Sequence, residues 1–393
     1  MAAPRHGPPD RSEDHPMPDA RTIDRLLQDV AAGRLSRRAF VARAGALGLG
    51  LSAIGALLAS CGRDKPDPPP GEAPLGAIEP ELSIANWSDY IAPDTITNFE
   101  KEFGVRVTYE TYESNEELLQ RLAAPGAPVD VAFPTNYAVT TLAATGLLAP
   151  LRRAYLPNMA NLAPTFVNPV FDPDNVYSIA YQWGTTGFAY RSDKVPGTPD
   201  SWGIFLDGRY KGRMTQMDEM RACIGAWLRY RGASLNSIEP TELAQARSDA
   251  LAARRNLKGY VSAPVKGQLI SGDVWVAQLW NGDTAQAQAS RPAIRYVLPK
   301  EGSDIWTDSM VLPAAGTHPR AAHEFINYIL RPEVGAAIAN TTGYGSPNLA
   351  ALARMTNPLP YPTAAEFQRL EYEKTLGDAA ALWEQIWQDL TSA

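Results

Sequence analysis

Val274 to Leu279 narrows the fold more than any other stretch: a short, nearly all-apolar run, closed after Trp280 by Asn281-Gly282. A run of that length and composition suits a strand buried on both faces, which demands covering layers on both sides of a sheet. Trp280 and Asp283 fall where such a strand ends, and Trp306 and Asp308 repeat the aromatic-then-acid pairing downstream. In open α/β sheets, ligands bind beyond the carboxyl ends of strands. Indole faces beside carboxylates suit an organic cation, because rings cover methylenes and attract the charge while carboxylates pair the ammonium.

From Glu81 the pattern alternates strand and helix. Leu82 and Ile84 predict a strand, Thr95 to Phe103 a helix closed by Gly104, and Val105, Val107 and Tyr109 a period-two strand. Asn115 is expected to cap a helix carrying Leu118, Leu119 and Leu122; Val129 to Phe133 reads as a strand and Thr140 to Leu148 as a helix. Successive βαβ units imply parallel strands with covering helices. The glycine-broken apolar segment from Tyr177 to Tyr190 suits a crossing between two lobes. Residues 199–260 read as mostly helical, and His323 to Leu330 and Ala364 to Leu390 as helices, with Trp383 and Trp387 in the core.

The 393 residues are enough for two lobes, and the net charge of −7, without basic clusters, argues against nucleic acid as a partner. Two cysteines exclude a disulfide framework and an all-cysteine metal site, and four histidines leave little for metal or imidazole chemistry. No metal or cofactor is therefore expected. Cys223, beside Ile224 and Trp227, reads as a buried, inert thiol.

Residues 1–60 read as a processing signal rather than fold. Ser36-Arg37-Arg38-Ala39-Phe40 is a twin-arginine export motif, and the apolar run Ala44 to Ala59 ends in Leu58-Ala59-Ser60-Cys61. That run is shorter than the roughly 20 residues of a membrane-spanning helix; Leu-Ala-Ser-Cys resembles a lipoprotein cleavage box in which Cys61 is acylated. A plain transmembrane anchor is the competing reading, and Met17 serves as a start as well as Met1. Residues 61–79, rich in proline, would form an extended tether holding the domain off a membrane.

Six stretches together resemble the polyamine-binding proteins of bacterial ABC importers, the spermidine/putrescine receptors. They are Asn86-Trp87-Ser88-Asp89-Tyr90, Tyr112-Glu113-Ser114-Asn115-Glu116, Pro134-Thr135-Asn136-Tyr137, Trp280-Asn281-Gly282, Trp306-Thr307-Asp308-Ser309 and Gly343 to Ala350. The resemblance implies an α/β, two-lobed periplasmic binding protein of type II-like form, with hinged lobes that are each a mixed sheet covered by helices. One lobe would take residues 80–186 and 308–352, the other 187–307 and 353–393. It implies an aromatic box of Trp87, Tyr90, Tyr137, Trp280, Trp306 and Tyr344, polar contacts from Ser88, Thr135 and Ser262, and ammonium-binding carboxylates at Asp89 and Asp308. Glu219 falls where spermidine-type receptors have an aspartate, and Glu373 where they have glutamine. Ala222 replaces a glutamate that holds an amino group in those receptors, while Asp283 matches an aspartate of putrescine-type receptors. Together these favour putrescine over spermidine. The implied partners are a polyamine, ABC permease subunits and a membrane reached through the lipid anchor, with the receptor a periplasmic or extracellular monomer.

Each site residue also has a plainer structural role open to it. Asp283 with Gln286 forms a helix-capping pattern. Glu219 suits a helix start, Glu373 a solvated helix face, Ser262 a turn, and Trp87 or Trp306 alone would pack in a core. The rival functions are a receptor for agmatine or a quaternary amine, a surface sensor without a permease, and a hydrolase built on paired carboxylates. Against the last, the sequence has no Gly-x-Ser-x-Gly, no His-Glu-x-x-His and no phosphate-binding loop of the Walker type.

Overall fold

The computed structural model describes residues 74–124, 128–262, 265–356 and 362–392. The export motif, Cys61 and most of the tether lie outside the described residues. The chain opens as expected: β1 (Glu81–Trp87), α1 (Thr95–Phe103), then β2 (Arg106–Tyr112), which pairs parallel to β1. Gly104 ends α1 at φ 69°, a left-handed conformation that costs a side chain about 1–2 kcal/mol. Helix α2 (Asn115–Ala123) is capped by Ser114 rather than Asn115: the Ser114 hydroxyl accepts from the Glu117 amide at 3.1 Å. Asn115, one residue inside the helix, is thereby free to reach Thr135 and Tyr137.

The next strand is shorter than the sequence suggests, β3 (Val131–Ala132), and the helix after it starts earlier, α3 (Asn136–Ala144), ahead of β4 (Leu148–Ala149). Pro134 and Thr135 lead directly into α3, and only two residues of β3 find partners on β1.

Two long strands organise everything that follows. β5 (Ser178–Arg191) is buried along its whole length, and so is β10 (Ser303–Pro313). They run antiparallel, with Asp308 opposite Gln182 and Trp306 opposite Gly184. Toward one end β10 pairs with β3 and β4. Toward the other, β5 pairs with β8 (Val276–Trp280) and β9 (Ile294–Val297). β6 (Met214–Gln216) joins β8 and β7 (Leu257–Tyr260) in parallel.

Each half of this mixed sheet has its own core. Ile84, Phe99, Phe133, Ile179, Phe325 and Ile326 fill one, together with α8 (Pro319–Ile329) and α9 (Pro332–Thr342). Phe188, Trp202, Phe205, Trp227 and Trp383 fill the other. Its covering helices are α4 (Met220–Tyr230), α5 (Pro240–Arg254), α6 (Val265–Ser271) and α7 (Asn281–Ser290). Residues 199–260 are thus less helical than expected, with two 3₁₀ turns and β6 ahead of α4 and with β7 after α5.

Ala364 to Leu390 is not one helix. After α10 (Leu349–Leu352) and α11 (Ala364–Phe367), β11 (Leu370–Glu371) pairs with Ser303 and Asp304 of β10, and helix resumes only at α12 (Ala380–Ser392). Ladder bonds to β10 and the Arg229–Glu371 ion pair hold the intervening chain extended. Trp383 is fully buried and Trp387 partly so, as expected of core residues.

Candidate functional site

The site is built around one face of β10. Side chains two apart on a strand share a face, which puts Asp304, Trp306 and Asp308 in one row. A register shift between Asp308 and Ser309 bends the strand there, as bulges beside functional sites do.

At the Asp308 end the surroundings are aromatic. The Tyr90 hydroxyl donates to Asp308 Oδ2 at 2.7 Å, and burial together with Asp308 raises the Tyr90 pKa well above its usual value, so the phenol stays a donor. Tyr344 packs edge-on against both Tyr90 and Trp306, each with ring centroids 5.2 Å apart. Trp280, the last residue of β8, packs against the same cluster from the other half of the molecule.

Two glycines permit this closeness. A Cβ on Gly282 would lie 2.4 Å from the Tyr344 ring, and one on Gly184 would lie 2.4 Å from Trp306. Burial pushes the Asp308 carboxyl up to about 7, against the pull of the Tyr90 and Thr135 hydroxyls. Asp308 Oδ1 and Trp306 Nε1 are both buried without a hydrogen-bond partner. Orphaned polar atoms of this kind cost about 1–3 kcal/mol each and call for an explanation.

At the other end carboxylates crowd together. Glu219 is held well above the usual range by burial and then by Glu373, Asp304, Glu116 and Asp308. Burial pushes Glu373 up to about 7; Arg221 draws it down while Asp304 and Glu116 push it further. Asp304 is raised by burial, with the Thr186 hydroxyl 2.8 Å from its Oδ2 opposing. Desolvation raises Glu116 as well, although it lies toward solvent. Like charges at close quarters disfavour each other's ionisation, and a cation placed among them reverses this. Among the described residues no group of acids, histidines or cysteines is set to hold a metal ion. Tyr137 stands amid these acids, its pKa raised by burial and then by Glu116, Glu219 and Glu373, and its hydroxyl accepts from Asn115 Nδ2 at 2.8 Å. Thr135, bridged to Asp308 across the sheet and bonded to Asn115, links the two ends.

The plainer readings divide. Asp283 does not cap its helix, since Trp280 holds the cap position without a side-chain bond; the carboxylate faces Lys266 at 3.5 Å and the Tyr344 phenol. Glu219 does start α4, but its carboxylate makes no capping bond. Glu373 lies on the extended segment after β11, not on a helix face. Ser262 behaves as turn chemistry, accepting from the Asp218 amide at 3.1 Å. Ser88 donates to Glu113 at 2.6 Å on the exposed rim, and Asp89, also exposed, adopts φ 54° and pairs with Lys266. Trp87 directs its indole nitrogen to the Phe133 carbonyl at 2.7 Å and packs on Tyr112. A cavity of about 10 Å³, bordered by Tyr181, Leu330, Ile338 and Asn348, contains none of these acids and is at most water-sized.

Asp304, Glu116, Arg221 and Lys266 were not among the candidates from sequence. Asp304 had a signal, standing two residues before Trp306 in the same period-two row. Lys266 had none, because only the fold brings α6 to α7.

The family model for bacterial extracellular solute-binding proteins matches residues 94–367. The spermidine/putrescine-binding periplasmic protein of Escherichia coli K12 is 32% identical to this chain, over 79% of it and 91% of the relative. The putrescine/cadaverine-binding protein of Pseudomonas aeruginosa is also 32% identical, over 80% and 96%. Among solved structures, a putative spermidine/putrescine ABC transporter protein from Listeria monocytogenes is 33% identical, with a TM-score of 0.75 over 79% of this chain and 99% of its own.

Proposed function

We propose a function from one premise: this chain belongs to the family of bacterial extracellular solute-binding proteins. It is a receptor rather than an enzyme. Its ligand is a polyamine, putrescine in preference to spermidine, which it delivers to an ABC permease. The observation that carries this is Asp308 Oδ1, buried and unpartnered beside Tyr90, Trp306 and Tyr344. One ammonium of the ligand pairs there, and the other enters the acids around Glu219 and Glu373.

The energetics suit such a ligand. Each buried methylene contributes about 0.8 kcal/mol, and each well-placed ring about 0.5–2 kcal/mol of cation–π attraction. After the cost of association, micromolar or tighter binding, about −8 kcal/mol, is the expected outcome. Closure of the lobes over the ligand, 80–186 with 308–352 against 187–307 with 353–393, would turn occupancy into a shape that the permease reads. The continuous strands β5 and β10 are the natural place for the hinge.

We further propose export of the folded chain by the twin-arginine route, removal of residues 1–60, acylation of Cys61, and action as a monomer tethered at the outer face of a membrane. Mass spectrometry of the membrane-extracted protein tests the processing: an unmodified N-terminus upstream of residue 61 would contradict it. Calorimetry with putrescine, spermidine, agmatine and choline tests the ligand. Putrescine should bind most tightly; binding confined to choline, or to none of the four, would overturn the polyamine reading.

A further inference from the structure

We propose that Lys266 is a built-in cation that occupies the Asp283 carboxylate and so restricts the cleft to short amines, an inference that rests on the polyamine reading above. Lys266 Nζ lies 3.5 Å from Asp283 Oδ1, 3.4 Å from Asp89 Oδ2 and 2.9 Å from Gln286 Oε1. The three acceptors differ in setting. Asp89 is on the exposed rim, with 78% of its side chain accessible, so its pairing is screened and weak. Asp283 retains only 13% accessibility and borders the aromatic cluster, with the Tyr344 phenol against it.

A carboxylate so enclosed needs a positive partner. A third amine of a longer ligand could supply that charge, but Lys266 already supplies it from the protein, anchored on α6. Gln286 fixes the ammonium on one side and gives its own amide to the Thr342 carbonyl at 2.7 Å, which ties α7 to α9. The aromatic end is left with one carboxylate lacking a cation, Asp308. A diamine meets that condition, whereas a triamine places an extra ammonium against an anchor already taken.

Lys266→Met keeps most of the aliphatic stem and removes the charge, freeing Asp283. Its spermidine affinity should rise about tenfold relative to putrescine. The double variant Lys266→Met/Asp283→Asn removes the freed acid and should return the ratio to that of the parent, which separates charge from any packing defect. An unmoved ratio in the single variant, an equal loss of both amines, or the same gain in the double variant would overturn the assignment. If the parent protein binds putrescine and the ratio stays put, this inference fails alone. If the parent binds neither amine, the polyamine reading fails and takes it along.

Discussion

The two ends of the cleft solve opposite problems. At the aromatic end one carboxylate, Asp308, is enclosed by rings, and the neighbouring acid, Asp283, is already matched by Lys266. At the far end Glu373, Asp304 and Glu116 press on Glu219, and Asp304 and Glu116 on Glu373, with the Arg221 guanidinium drawing Glu373 and Asp304 down. Arg221 is itself committed, donating to the Lys374 carbonyl and to Asn236, each at 2.8 Å, and lying over Trp383. The first end is a single anchor of defined position. The second is a region of surplus negative charge, which under the proposed function would meet a cation at several points. The difference teaches that, for the ligand proposed, position would be read at one end and charge at the other.

Substitution at the two ends should therefore differ in severity. Asp308→Ala removes the carboxylate that, among the described residues, lies unpaired by any cation amid the rings, and should cost about 3–5 kcal/mol of putrescine binding, roughly two to nearly four orders of magnitude. Glu219→Gln leaves Glu373 and Asp304 in place and should cost about tenfold, near 1.4 kcal/mol. Calorimetry of both variants breaks the comparison if the two losses are equal.

The pH dependence comes next in size. Asp308 and Glu373 sit at about 7 in the free protein, above the ordinary carboxylate range. Between pH 4 and 7 the folded, ligand-free chain holds protons that the unfolded chain has released, so these groups' contribution to stability declines as pH rises through 7. A bound dication favours the ionised forms. Binding near pH 7 should accordingly release protons, weaken below pH 6 and level off above pH 8. Titrations in buffers of different ionisation enthalpy read this directly, and proton uptake on binding would contradict it.

The smallest effect concerns length. Ala222, buried on α4, leaves the acid end without a further carboxylate. Ala222→Glu should shift the spermidine-to-putrescine ratio toward spermidine by roughly fivefold, about 1 kcal/mol. An unchanged ratio would remove Ala222 from the account of specificity.

Much of this architecture was legible in the sequence because it depends on local chemistry. Gly104 ends its helix where left-handed backbone is needed, and the apolar run through Leu279 is a strand buried among its neighbours. Trp306 and Asp308 were readable as a pair because a strand puts them on one face. What escaped depends on distant partners. Glu373 follows a helical pattern, but pairing of Leu370 and Glu371 with β10 draws that segment into extended form and turns it toward the acids. Asp283 matched a capping pattern, and only the approach of α6 gives it Lys266 instead. Glu116 lay within a quoted motif, yet its role emerges only when Glu219 and Glu373, more than a hundred residues away, come near.

A crystal structure of the processed protein with putrescine tests the central claim most directly. One ammonium nitrogen should lie about 3 Å from Asp308 Oδ1, the oxygen that has no partner in the free protein, with the methylenes against Trp306 and Tyr344. Ligand density elsewhere, with that oxygen still unpaired, would contradict the account.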